Sequence, residues 1–211
     1  MLSLEVDSLS VERGGRRVFT DLAFRLAEAG AMAVVGANGA GKSTLLRTVA
    51  GLIRPACGTV RLDGYDAPAA TAMHLVAHQN AIKLPLGAEA NVRYWMRTLG
   101  AADRDDAAVE AALDRVGLLG LIETPAQLFS QGQRRRLALA RLMAVPRPLW
   151  LLDEPTAGLD AASRAAFAAM MGEHLAGGGM ILAATHEPLG IDTATLDLSA
   201  AAARARAQEA A

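Results

Sequence analysis

Apolar residues along the chain fall into short continuous runs that predict a buried sheet. Ala31-Met32-Ala33-Val34-Val35, His74-Leu75-Val76-Ala77, Leu149-Trp150-Leu151-Leu152 and Met180-Ile181-Leu182-Ala183-Ala184 have the length and unbroken hydrophobicity of strands covered on both faces, the pattern of parallel sheets. The opening segments differ. Leu2 to Glu12 and Val18 to Leu26 read as two strands around Gly14-Gly15, a hairpin-like antiparallel entry, and Thr59 to Asp63 is a further strand turning at Gly64. Helical spacing appears elsewhere. Leu45 to Ala50 starts a helix that Gly51 and Pro55 end; Val109, Leu113 and Val116 share a face before Gly117; Arg136 to Met143 forms a helix halted by Pro146; Ala161 to Leu175 lies between two buried strands. Strand signals vanish from about residue 80 to residue 149, so a helical insert, about 80–146, interrupts an α/β domain of residues 1–198. The expected fold is a mostly parallel sheet flanked by helices, with an antiparallel β entry. Residues 199–211 are a low-complexity tail, a frayed helix or disorder.

Composition narrows the function classes. A chain of 211 residues with 52% hydrophobic content buries a sizeable core, enough for one domain with a sub-domain insert. A net charge of -1 provides no field for a polyphosphate backbone, so nucleic acid is not an expected direct partner. No run of about 18 apolar residues occurs, so no membrane span is expected and any membrane association comes through a partner. The N-terminus reads as a strand, with acidic residues where a signal peptide carries cations. Cys57 is the single cysteine and has no metal-ligand spacing around it, as fits a reducing compartment.

The stretch Gly36-Ala37-Asn38-Gly39-Ala40-Gly41-Lys42-Ser43-Thr44 follows an apolar strand and opens a helix, matching the phosphate-loop pattern in its proper context. Its glycines permit positive φ and close backbone approach, so amide N–H groups gather around an anion at a helix N-terminus. Lys42 is placed to reach the β- and γ-phosphates of a nucleotide, and the Ser43 hydroxyl to complete the shell of a bridging Mg²⁺. The chain's lysines are Lys42 and Lys83, all other basic side chains being arginine or histidine, so a compact point charge on a flexible stem is specifically called for at Lys42.

Further carboxylates and donors follow. Asp153 and Glu154 end an apolar strand, the form in which a phosphate-loop enzyme places a metal-orienting aspartate and a general base that polarises the attacking water. Ser130-Gln131-Gly132-Gln133 precedes a helix, and by itself reads equally as a helix cap.

In this order and spacing the motifs closely resemble the ATP-binding cassettes of ABC transporters, over nearly all of residues 1–198. The resemblance implies an α/β ABC-type ATPase with ATP and Mg²⁺ as cofactors. It implies that Gln79 is the glutamine that touches the metal site and senses membrane subunits, that Ala157 to Asp160 is the loop crossing to a partner, and that His186 contacts the γ-phosphate. Strand-end polar roles for Gln79 and His186, and a helix N-cap for Asp160, are the plainer alternatives. For His74, His78 and His174 no metal spacing is present, and structural roles are expected. The resemblance further implies a head-to-tail dimer of two ATP-binding subunits, in which Ser130, Gly132 and Gln133 of one face the phosphate loop of the other, working with integral membrane subunits at the cytoplasmic face of a bacterial inner membrane.

Arg13 stands where the family carries an aromatic residue against adenine, and a planar guanidinium can also stack on a base. Arg13 and the segment His78 to Lys83 are similar to the haem-exporter ATP-binding subunits of cytochrome c maturation. The run Arg134-Arg135-Arg136 fits these relatives and equally fits a solvated helix face. The implied function is ATP hydrolysis that drives haem export or delivery; the engine of another small exporter, or a soluble ABC ATPase, are the alternatives.

Overall fold

The computed structural model describes residues 1–101 and 106–209. Strands β1 (Ser3–Arg13) and β2 (Arg16–Ala27) pair antiparallel, with Arg13 opposite Arg16. Gly14 and Gly15 both have positive φ, 59° and 75°, so the turn twists with its strands. β3 (Ala31–Val35) leads through the glycine loop into α1 (Lys42–Val49), after which β4 (Cys57–Asp63) returns to pair with β1. β5 (Met73–Val76) is followed by α2 (Ala88–Thr98), α3 (Asp106–Arg115) and α4 (Gln131–Ala144) of the helical insert. β6 (Leu149–Asp153), α5 (Ala161–Ala176), β7 (Met180–Ala184), β8 (Ala194–Asp197) and α6 (Ser199–Glu209) complete the described chain.

The parallel sheet has the order β5-β6-β7-β3-β8, and the antiparallel sheet the order β2-β1-β4. Side-chain alternation along β6 and β7 separates two cores. Trp150, Leu152, Ile181 and Ala183 join the insert side with Trp95, Leu113 and Phe167, whereas Leu149, Leu151, Met180 and Leu182 join Leu45, Leu46 and Phe19 on the side of α1 and the antiparallel sheet. The continuous apolar runs are therefore strands covered twice.

Three features depart from the sequence expectations. β8 has no apolar run to announce it, because it is a four-residue edge strand, mostly exposed, paired only to β3. Helix α4 starts at Gln131 rather than Arg136: Ser130 and Gln133 form a reciprocal capping box, which extends the helix to the serine. Residues Ser199–Glu209 of the low-complexity segment form a packed helix. Ala201, Ala202 and Ala205 of α6 are buried, and Arg204 donates to the carbonyls of Thr20 and Asp21 on β2. Small alanine side chains allow close approach of a helix whose sequence shows no apolar stripe.

His74 on β5 has the structural role expected of it. It is buried, and its Nε2 lies 2.6 Å from the Val145 carbonyl, so the neutral ring donates from Nε2. Burial, reinforced by the Arg141, Arg147 and His174 charges, pushes its pKa down from 6.5 to about 3, against the opposing Val145 hydrogen bond. A depressed folded pKa means that the unfolded chain takes up a proton which the native chain refuses. Stability from this residue is thus complete above 6.5 and declines as pH falls from 6.5 towards 3. Denaturant titration of the wild type and His74→Gln at about pH 7.5 and pH 5 is expected to show about 2 kcal/mol more acid loss in the wild type. Equal losses would place the acid sensitivity elsewhere.

Candidate active site

The C-terminal edge of the parallel sheet is the place where open α/β sheets leave a crevice. There β3 ends and the chain turns through the glycine loop, with φ of 143° at Gly36, 81° at Gly39 and 101° at Gly41. A Cβ on Gly41 would lie 2.5 Å from Val18 Cγ1 and 3.0 Å from Phe19 Cδ1, so a side chain there would both strain the backbone and collide with β2. A loop of this form entering a helix directs amide N–H groups to one side, which suits an anion.

Lys42 Nζ donates to the Gly36 carbonyl at 2.8 Å and the Ala37 carbonyl at 3.3 Å, and lies 3.0 Å from His186 Nε2. An ammonium only donates, so His186 Nε2 is the acceptor and its ring proton sits on Nδ1. Ser43 Oγ donates to Asp153 Oδ1 at 3.0 Å, bringing a hydroxyl and a buried carboxylate together from α1 and β6.

Glu154 follows with φ of 47°, its amide donating to the Ala184 carbonyl at 2.8 Å and its carbonyl accepting from Arg135 at 2.8 Å. Positive φ in a residue bearing a Cβ costs on the order of 1–3 kcal/mol and persists where surrounding bonds over-determine it. Its Oε1 stands 3.7 Å from His186 Nε2.

These groups open on one cavity of about 540 Å³, whose lining includes Arg13, Asn38, Lys42, His78, Glu154 and His186, together with Gly39, Gly41, Ser43, Thr44 and Asp153. The predicted residues outside this lining have identifiable positions. Gly36 contributes its carbonyl to Lys42, and Ala40 is buried in the core beneath the loop. Gln79 is exposed and outside the lining; the neighbouring His78, expected to be structural, lines the cavity instead.

Ser130, Gly132, Gln133 and Asp160 form a second group, also outside the lining. Ser130 Oγ accepts from the Gln133 amide at 3.2 Å, while Gln133 Oε1 accepts from the Ser130 amide at 2.8 Å. Asp160 caps α5 by accepting from the Ser163 amide at 2.7 Å, and the Ser163 amide and hydroxyl hold its carboxyl below the usual range. A Cβ on Gly132 would come within 2.9 Å of the Gly158 carbonyl, so this glycine lets the two segments touch. The helix-cap alternatives for Ser130 and Asp160 thus describe real bonds, and within one chain this group does not share the cavity of the first.

The three consecutive arginines are not a solvated face. Arg134 donates to the carbonyls of Ala126 and Gln127, and Arg136 to those of Val116 and Gly117. Arg135 is 4% exposed; burial lowers its pKa while the Asp153 and Glu154 charges oppose the shift, and the guanidinium remains cationic. The run of like charges hides this, but helical phase could have revealed it. Arg135 precedes the buried Leu139 by four residues and the buried Leu142 by seven, and so lies on their face. For His78 the available signal was its place at the carboxyl end of a parallel strand.

Residues 19–157 match the family model described as ABC transporter. The chain is 51% identical over 203 residues, 95% of its length and 100% of the relative's, to the cytochrome c biogenesis ATP-binding export protein CcmA of Mesorhizobium japonicum. It is 49% identical over 192 residues to the protein of the same name from Rhodopseudomonas palustris strain BisB5, covering 90% of this chain and 94% of that one. Its fold is similar to that of a putative ABC transporter ATP-binding protein from Pyrococcus furiosus, with a TM-score of 0.81, 23% identity, and coverage of 93% and 97% of the two chains.

Proposed function

We propose, from the premise that the chain belongs to the ABC transporter family of ATP-binding subunits, that it hydrolyses ATP to drive an export complex of c-type cytochrome biogenesis whose cargo is haem. Relatives at 49% and 51% identity that carry the cytochrome c biogenesis export name support the pathway. The observation that carries the chemistry is the convergence of Lys42, Ser43, Asp153, Glu154 and His186 on one cavity at the mouth of the phosphate loop.

The loop amides and Lys42 bind the phosphates of ATP, the Lys42 ammonium exchanging the Gly36 and Ala37 carbonyls for phosphate oxygens. The adjacent Ser43 hydroxyl and Asp153 carboxylate have the hard oxygen donors that would hold Mg²⁺, which would supply positive charge to the phosphates. Glu154 accepts the proton of the attacking water, and His186, already an acceptor from Lys42, orients groups at the γ-phosphate. Arg13, on the cavity wall, stacks on the base.

The separation of Ser130 and Gly132 from this chain's own cavity supports a head-to-tail dimer, in which they cover the γ-phosphate held by the other subunit. ATP then holds the dimer closed and hydrolysis releases it, a shift in population that membrane subunits convert to transport. Among the described residues no helix is long and apolar enough to cross a membrane. The export name of the relatives supports a peripheral subunit attached through membrane partners at the cytoplasmic face of the inner membrane.

Affinity purification from detergent-solubilised membranes is expected to recover integral membrane subunits that bind haem. Recovery of a membrane partner without haem would keep the transport engine and remove haem as cargo; recovery of the chain alone would favour a soluble ATPase.

A further inference from the structure

The Arg135 guanidinium uses every N–H it has. Nε donates to the Pro155 carbonyl at 3.1 Å; one terminal nitrogen donates to the Ala77 carbonyl at 2.9 Å and Asn80 Oδ1 at 3.0 Å; the other donates to the carbonyls of Asp153 and Glu154, each at 2.8 Å. These acceptors come from two separate strand ends, neither of them on α4, and none is a carboxylate. One end carries the proposed general base and the other carries His78 and Gln79 between the two anchored residues. The arginine itself stands in the second turn of the helix capped by Ser130.

From this geometry we infer that Arg135 is a positioning residue for ATP hydrolysis: it fixes the backbone at Glu154, and with it the direction of the carboxylate, against the His78–Gln79 turn and the helix that begins at Ser130. The inference rests on the ATPase reading above. The Asp153 and Glu154 charges compensate the buried cation, and its donors hold three consecutive carbonyls, Asp153 to Pro155, around a residue of positive φ, where a small backbone rotation would swing the Glu154 side chain out of line. The arrangement depends on the planar fork, because a lysine at the same place offers three donors from one point and cannot span both strand ends. Its hydrogen bonds reach the phosphate site only indirectly, through the Asp153 backbone carbonyl and the bond that residue's carboxylate accepts from Ser43, and none goes to Lys42 or the glycine loop, so turnover is expected to fall more than nucleotide affinity.

The purified full-length chain and the variants Arg135→Lys, Arg135→Gln and Asn80→Ala test this by ATP turnover, affinity for a non-hydrolysable ATP analogue, and thermal melting. Both Arg135 variants are expected to lose about 10-fold or more in kcat while analogue affinity stays within about 3-fold, and Asn80→Ala to show a smaller loss of the same kind. Near-normal kcat in either Arg135 variant overturns the inference, as does a parallel fall of kcat, affinity and Tm. Should both Arg135 variants fail to fold, Asn80→Ala decides: lowered kcat at unchanged affinity supports positioning, and unchanged kcat overturns it. A wild-type chain that binds the analogue but turns over no ATP overturns the underlying ATPase reading instead.

Discussion

Replacing Glu154 by Gln is expected to lower ATP turnover by about 10²–10⁴-fold, the usual contribution of a positioned general base, while ATP remains bound. The substitution preserves size and shape and removes the capacity to take a proton. The backbone that aims the side chain is untouched, because the Arg135 and Ala184 bonds engage the Glu154 carbonyl and amide. Lys42, Ser43 and Asp153 retain their own contacts, so the phosphate site persists. If nucleotide closes a head-to-tail dimer and hydrolysis opens it, the variant should accumulate as a dimer in ATP, visible in size-exclusion chromatography or analytical ultracentrifugation. Turnover within about 3-fold of the wild type would assign the base to another residue. Turnover abolished without dimer accumulation would leave Glu154 its chemical role and remove the closed dimer from the cycle.

Lys42→Ala should act one step earlier. The ammonium at present spans the Gly36 and Ala37 carbonyls and His186 Nε2, so it sits over the mouth of the loop with its donors directed inward. Charge-assisted hydrogen bonds contribute about 1.5–3 kcal/mol each, and losing those to two phosphate oxygens should raise the Kd for ATP by about 10²-fold or more. Folding should be retained: the position is the first residue of α1, alanine is a good helix former, and the loop's shape comes from its glycines and their packing on β2. Isothermal titration with a non-hydrolysable analogue measures the affinity directly. Unchanged binding and turnover would mean that the loop amides alone carry the phosphates, which the placement of Lys42 argues against.

The two variants separate binding from chemistry, and both residues were identifiable from local patterns. A phosphate loop is short, contiguous and constrained by backbone sterics, so Gly36 to Thr44 is recognisable without knowing what lies around it. The same holds for Asp153 and Glu154, because an apolar strand buried on both faces must end where polar groups become tolerable, at the sheet edge.

Arg135 and Gln79 show where such patterns stop. Whether an arginine on a helix reaches water or two strand ends depends on what packs against that helix, and the five acceptors of Arg135 come from residues 18 to 58 positions away along the chain. Gln79 and His78 are adjacent, and within this chain His78 lines the cavity while Gln79 is exposed outside it. For α6 the difficulty is of another kind: an alanine-rich segment has little transfer free energy with which to advertise burial, and it is the surface of β2, with the Thr20 and Asp21 carbonyls awaiting Arg204, that orders it.

By itself, then, the sequence determined the α/β class, the strands of the parallel core apart from its exposed edge, the phosphate loop and the paired carboxylates, since these follow from hydrophobic period and from glycine stereochemistry over a few consecutive residues. Only the tertiary structure decided that Arg135 ties two strand ends together, that the low-complexity helix is packed, and that Ser130 and Gly132 lie outside the cavity of their own chain. Each of those outcomes depends on long-range hydrogen bonds or on the shape of a distant surface, and no local window contains them.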